Sequence, residues 1–171
     1  MSRKVAYIGV DIGMDGGIAG IIPHHDKVLL HPMPTIGTKG KGARSYNLQK
    51  ISDVVAGFAA DYEVRGAVIE LATMAPGWSK RIWELQYGCQ YIFMALFTVY
   101  SIPYEVVTAK TWQKLVFKSM STKQSTKVRA ELFCNRRFPK TDFILPGCMK
   151  SHTGIIDAAC IAEYARLTLG K

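Results

Sequence analysis

Long apolar runs are missing from this 171-residue chain. None reaches the ~18–20 residues that span a bilayer, so no transmembrane helix is expected. The opening Met-Ser-Arg-Lys leads straight into a short apolar run that ends at Asp11. It lacks the longer apolar core and small-residue cleavage site of a signal peptide, and an intracellular protein is expected. Cysteine is sparse and scattered: Cys89, Cys134, Cys148 and Cys160 form no C-x-x-C pair. That spacing argues against a zinc site, and a core of this size does not need a disulfide framework. Internal repeats and low-complexity segments are also absent. Acidic residues are few where basic ones are many. Residues 110–150 hold ten Lys and Arg against only Glu131 and Asp142, whereas residues 1–85 hold ten basic and eight acidic side chains.

The chain carries 22 Lys+Arg and 13 Asp+Glu, a formal charge of +9, with pI ≈ 9.5. A basic excess gathered in one stretch suggests a polyanion surface, most often for nucleic acid; the alternative is a solvated, solubilising face. Hydrophobic residues make up 49% and charged residues 20%, which supports a sizeable core and argues against disorder. One compact domain over residues 1–171 is expected.

Hydrophobic periodicity sets the element order. Lys4–Val10 is a β-rich run closed by a Gly-rich turn, Asp11-Ile-Gly-Met-Asp-Gly-Gly. Gly17–Ile22 and Lys27–His31 read as two more strands joined by a short hairpin connection. Residues 34–46, rich in Gly, Lys, Ser and Thr, look like a mobile loop. Asn47 caps a helix expected over 48–64, and Gly66–Leu71 is a buried strand. A long helix over 79–100, a strand over 104–108 and helices over 111–117, 123–138 and 153–169 follow. The order β-β-β-α-β-α-β-α-α-α predicts an α/β fold: a mixed five-stranded sheet, with a three-strand antiparallel meander and two parallel strands, flanked by helices. The second half of the 79–100 helix is apolar on more than one face, which suits either burial under two layers or a homodimer interface.

Three carboxylates stand where apolar elements end. Asp11 closes the first strand, Glu70 follows Gly-Ala-Val-Ile, and Asp157 precedes Ala-Ala-Cys-Ile-Ala early in the last helix. Ionised carboxylates are costly in apolar surroundings unless paired, hydrogen-bonded or bound to metal. Strand ends of one parallel sheet meet at the rim where α/β sites form. Carboxylates there suit Mg²⁺ or Mn²⁺, and two such ions ~3.5–4 Å apart would support phosphodiester cleavage. Read one at a time, the same residues are a turn Asp, a strand-end charge and a helix N-terminal acid. Lys110, Lys114 and Lys118 recur at i, i+4, i+8, and Lys123 and Lys127 repeat the spacing, so that continuous helices would align them to follow phosphates. The alternative is again a solvated face.

Val10-Asp11-Ile-Gly13, Val68-Ile-Glu70, Val107-Thr-Ala-Lys110-Thr-Trp-Gln113, Ser125-Thr-Lys127-Val-Arg-Ala130 and Asp157-Ala-Ala-Cys-Ile-Ala-Glu-Tyr164 occur in an order that resembles RuvC-type Holliday junction resolvases, from about residue 5 to 168. The resemblance is closest to the compact phage and poxvirus-like branch, and so to the cytoplasm of a bacterial or virus-infected cell. It implies an RNase H-like fold, a homodimer and Mg²⁺-dependent paired nicking of four-way DNA, leaving 5′-phosphate and 3′-hydroxyl ends. The motifs carry the family's catalytic positions onto Asp11, Glu70 and Asp157, and place Lys110 near the scissile phosphate.

The family's fourth position, an acid or His three or four residues before the final Asp, falls here on Gly154 or Thr153. His152 is a candidate replacement, as metal ligand or proton carrier, if the helix begins after it. Asp15 is another, although Asp15-Gly16-Gly17 is more simply a turn. After Glu70 the family inserts an apolar or aromatic residue at the junction centre. Met74 or Trp78 would serve that role by stacking, with Trp78 as a helix-start packing residue the alternative. Two other readings keep the fold: a junction-binding protein with weak chemistry, and an RNA–DNA hybrid nuclease. An actin-like ATPase is not expected, because this chain lacks room for the paired domains that enclose ATP.

Overall fold

A computed structural model describes residues 3–25, 27–37, 44–73, 77 and 79–170. Strand β1 (Lys4–Asp11) lies at the centre of the main sheet. It pairs antiparallel with β2 (Gly17–Ile21), which pairs antiparallel with β3 (Val28–Pro32). Two short strands, β4 (Thr35–Ile36) and β5 (Ser45–Tyr46), pair with each other inside the stretch expected to be a loop. Residues 38–43 of that stretch lie outside the described residues. Helix α1 (Leu48–Asp61) leads into β6 (Tyr62–Glu70), which runs parallel to β1. Helix α2 (Lys80–Val99) crosses to β7 (Tyr104–Val107), parallel to β6. Helices α3 (Ala109–Val116), α4 (Thr126–Arg137) and α5 (Thr153–Leu169) complete the chain. The five-stranded order β3-β2-β1-β6-β7 is the expected meander plus two parallel strands.

Helices cover both faces of the sheet. Ile8 and Val10 of β1 and Ile69 of β6 pack with α1 and α2 residues such as Val55, Phe93 and Phe97. Tyr7 and Val68 pack on the other face with Trp112, Cys134 and Ile161, from α3, α4 and α5. Burial on both faces explains why the central strands read as continuous apolar runs. Strand periodicity then places Asp11 with Tyr7, and Glu70 with Val68, on the α5 face.

Two boundaries differ from expectation. α1 stops at Asp61, because Tyr62 is already extended and pairs with Lys4. Tyr62 also falls at helical spacing, i+4, after Phe58, so the helical pattern runs on into the strand. The lysine stripes break too: Lys118 lies beyond the end of α3, and Lys123 precedes Ser125, the N-cap of α4. Only Lys110 and Lys114 share a helix turn-to-turn.

Candidate active site

The three carboxylates meet at the C-terminal rim of the parallel strands. β1 and β6 are in register at Val10↔Ile69, so Asp11 and Glu70 follow on neighbouring strands. α5 brings Asp157 to the same face by unusually close packing. A Cβ on Gly9 would overlap the backbone of Ala158 and Ala162, so the helix lies directly on β1. Its first turn presses on the turn after β1 in the same way: a Cβ on Gly154 would overlap the Asp15 carbonyl. No acidic side chain fits at Gly154 without a shift of that backbone.

Each carboxylate has a distinct setting. Asp11 Oδ1 accepts the Gly13 N–H at 3.0 Å. Burial, followed by the charges of Glu70, Asp157 and Asp15, outweighs that bond and pushes the Asp11 carboxyl up to about 7. Asp157 is pushed to about 6 by burial and by Glu70, against the lowering effect of the Lys127 ammonium. Glu70 is raised by burial and steadied by Trp112, whose indole Nε1 donates to Glu70 Oε2 at 2.7 Å. Trp112 is 1% exposed and sits one turn into α3, behind the Thr108 cap that follows β7 directly.

The loop after Asp11 is anchored from β5. The Tyr46 hydroxyl donates to the Ile12 carbonyl at 2.7 Å. The Arg44 guanidinium donates to the Met14 carbonyl at 2.6 Å and pairs with Asp15 at 2.7 Å. Asp15 is therefore engaged with Arg44, while its charge still reaches Asp11. On the other strand, Gln90 of α2, 5% exposed, accepts the Ala72 N–H at 2.9 Å just past Glu70. Arg44, Gln90 and the donor role of Trp112 carry no local sequence signal. Each depends on a contact at least 18 residues away in the chain.

The other candidates fall as follows. His152 is the N-cap of α5, so the helix does begin after it; its Nδ1 accepts the Ile155 N–H at 3.3 Å. That bond leaves the proton of the neutral ring on Nε2. Thr153, the next residue, lines both cavities at the rim. One, of about 440 Å³, holds Asp11, Asp15 and Arg44; the other, of about 460 Å³, holds Asp157, Lys127 and Lys150. Lys127 is the lysine whose charge reaches Asp157, whereas Lys110 is exposed on the first turn of α3. Lys114, Lys118 and Lys123 are exposed as well. Met74 and Trp78 lie outside the described residues.

The donor set suits a hard divalent cation: oxygen ligands, partly buried, with unbalanced negative charge. Among the described residues no three Asp, Glu, His or Cys side chains stand close enough to hold one ion between them. The carboxylates feel one another's charge without closing into a cage.

Solved structures share this architecture. Thermus thermophilus RuvC in complex with a Holliday junction substrate aligns with a TM-score of 0.59 at 10% identity, over 95% of this chain and 91% of that one. A second Thermus thermophilus RuvC structure gives 0.53 at 12% identity, over 94% and 91%. The yeast mitochondrial Holliday junction resolvase Ydc2 gives 0.56 at 14%, over 95% and 77%. The fold is that of RuvC-type resolvases. No family model and no curated protein matches the sequence. Within the RuvC-type fold, the mixed sheet flanked by helices is the arrangement expected from the element order. Among the described residues no helix is long and apolar enough to cross a membrane.

Proposed function

We propose that the chain is a single-domain, divalent-metal-dependent DNA endonuclease of the RuvC type, acting on branched DNA and chiefly on four-way junctions. The observation that carries this reading is the convergence of Asp11, Glu70 and Asp157 on one rim of a RuvC-type sheet, beside Lys127. No three of these side chains close on one ion among the described residues, so pairs of them, completed by water and by the DNA phosphate, would hold one or two Mg²⁺ or Mn²⁺ ions. The bound metal would supply a polarised water and charge neutralisation at the scissile phosphate. Lys127 opposes the carboxylate charge at Asp157 and, with Lys110 and Lys114, offers ammonium groups to the phosphate backbone. Trp112 and Gln90 orient Glu70 and the chain that follows it.

A homodimer fits the same reading, because two scissile strands related by two-fold symmetry need two sites. α2 buries Cys89, Gln90, Phe93 and Phe97 on the sheet but leaves Tyr91 51% and Val99 74% exposed. Burial under two layers is thus not what its apolar second half serves, and the exposed face is available to a second copy.

One observation favours a second reading, a junction-binding protein with weak chemistry. Gly154 excludes an acid, and Thr153 beside it is neutral. The deciding experiment incubates end-labelled four-way, three-way, linear and RNA–DNA hybrid duplexes with Mg²⁺, Mn²⁺ or EDTA, alongside Asp11→Asn. Metal-dependent paired nicks near the branch, absent in the variant, are expected. Tight branch binding without nicks in either metal would establish the binding protein. Faster cutting of the hybrid would move the substrate to RNA–DNA duplexes.

A further inference from the structure

The α4–α5 connection is built as a small hydrogen-bonded hairpin, which a mere linker would not require. Ile144 and Ser151 pair across it as an antiparallel bridge. The Cys148 N–H donates to the Leu145 carbonyl at 2.9 Å, and Gly147 takes the left-handed φ of +79° that the turn requires. Asp142 accepts the Ile144 N–H at 2.8 Å, the Ser151 hydroxyl donates to Glu131 at 2.7 Å, and the His152 N–H donates to the Phe143 carbonyl at 2.9 Å. Phe143 and Leu145 point into the core, while Ile144, between them, points out.

On the returning leg stands Met149, 95% exposed, and on the outgoing leg Ile144, 43% exposed. A single exposed apolar residue is unremarkable on most surfaces. Here both residues line the same cavity as Asp157, with Lys127 and Lys150 beside them. The far leg of the hairpin runs through the His152 cap directly into α5, so the methionine is held in fixed relation to a catalytic carboxylate. Glu131 also lines this cavity, bonded to the Ser151 hydroxyl, and an apolar, flexible side chain flanked by the Lys127 and Lys150 ammonium groups matches a ligand with an anionic backbone and apolar stacked faces.

On the proposed nuclease reading, we infer that Met149 is a DNA-contacting wedge, which enters the base step next to the scissile phosphate while Lys127 and Lys150 hold the flanking phosphates. Thioether and aliphatic side chains do this at other kinked steps, partly unstacking the bases. The occupant is therefore unpaired or readily unstacked DNA at a branch.

The test places 2-aminopurine at the branch point of a four-way junction and measures its fluorescence with Asp11→Asn protein, with and without Met149→Ala. Cutting rates are measured in the wild-type background with Mg²⁺. Met149 packs on nothing that Ala would disturb, so folding is not at risk. The expected result is loss of at least half of the fluorescence rise and about tenfold slower junction cutting, with linear-duplex affinity unchanged and rescue by Met149→Leu. Equal fluorescence and equal cutting in Met149→Ala, with wild-type cleavage intact, would overturn the wedge and leave the nuclease reading standing. Absence of both cutting and branch preference in the wild type would overturn the two together.

Discussion

Asp11 is the residue whose chemistry is most constrained by its surroundings. Its carboxyl is held near 7 in the folded chain, against about 3.9 when unfolded. The native state therefore prefers the protonated form. That preference contributes its full stabilisation below about pH 4, and the contribution is lost as pH rises through 7. In EDTA, Asp11→Asn should match the wild type near pH 4 and exceed it by about 1–3 kcal/mol at pH 8. Urea unfolding at the two pH values measures this, and equal stabilities at pH 8 would refute it. Trp112 presents the opposite case. Trp112→Phe keeps most of the apolar volume but removes the indole N–H that steadies Glu70. A loss of about 1–2 kcal/mol is expected, since a charge-assisted bond disappears and its acceptor stays partly buried. The Glu70 carboxyl should rise further, which moves the acid limb of the pH–rate profile upward. A profile that scales down without shifting would mean Trp112 acts only through packing.

At the scale of elements, the decisive contact is α5 on β1. Gly9→Ala would set a methyl into the Ala158 and Ala162 backbone, where no side chain can yield. The helix must lift and take Asp157 with it. A loss of about 3 kcal/mol or more is expected, with metal-dependent cutting abolished. Gly57→Ala in α1 is the control: its Cβ meets nothing within 4 Å, so the change should stabilise by about 0.5–1 kcal/mol. Thermal melts of both variants check the pair. The carboxylates that α5 and the strands present were legible from sequence because they interrupt apolar runs. β4 and β5 were not, since two-residue strands have no period to detect. The α1–β6 boundary was hidden because Tyr62 continues the helical spacing from Phe58 while it also begins the strand alternation with Val64. Lys123 read as helical, and Lys118 as aligned with Lys110 and Lys114, for a related reason: equal spacing in sequence aligns side chains only where one helix is continuous, and both lie outside the helices.

For the whole molecule, the proposed function raises the question of which of its positive charges would face DNA. A charge of +9 alone secures solubility and a general attraction to polyanions. The structure separates the lysines by their relation to the carboxylate rim: Lys127 reaches Asp157, and Lys110 opens α3 directly after β7, whose Val107 pairs with Glu70. Lys118 and Lys123 lie on the connection between α3 and α4, off the helical stripe. Each lysine that touches a phosphate contributes about 0.9 to the slope of log K against log salt. Lys110→Ala and Lys127→Ala should each lower the slope for four-way DNA by about 0.9, so that their double variant loses nearly 2. Lys118→Ala and Lys123→Ala should move it by much less. Fluorescence anisotropy from 50 to 300 mM KCl, with Asp11→Asn as the uncut background, gives the four slopes. Equal losses at all four positions would mean that the connection lies against DNA as closely as the rim does, and that the basic stretch binds as a continuous surface.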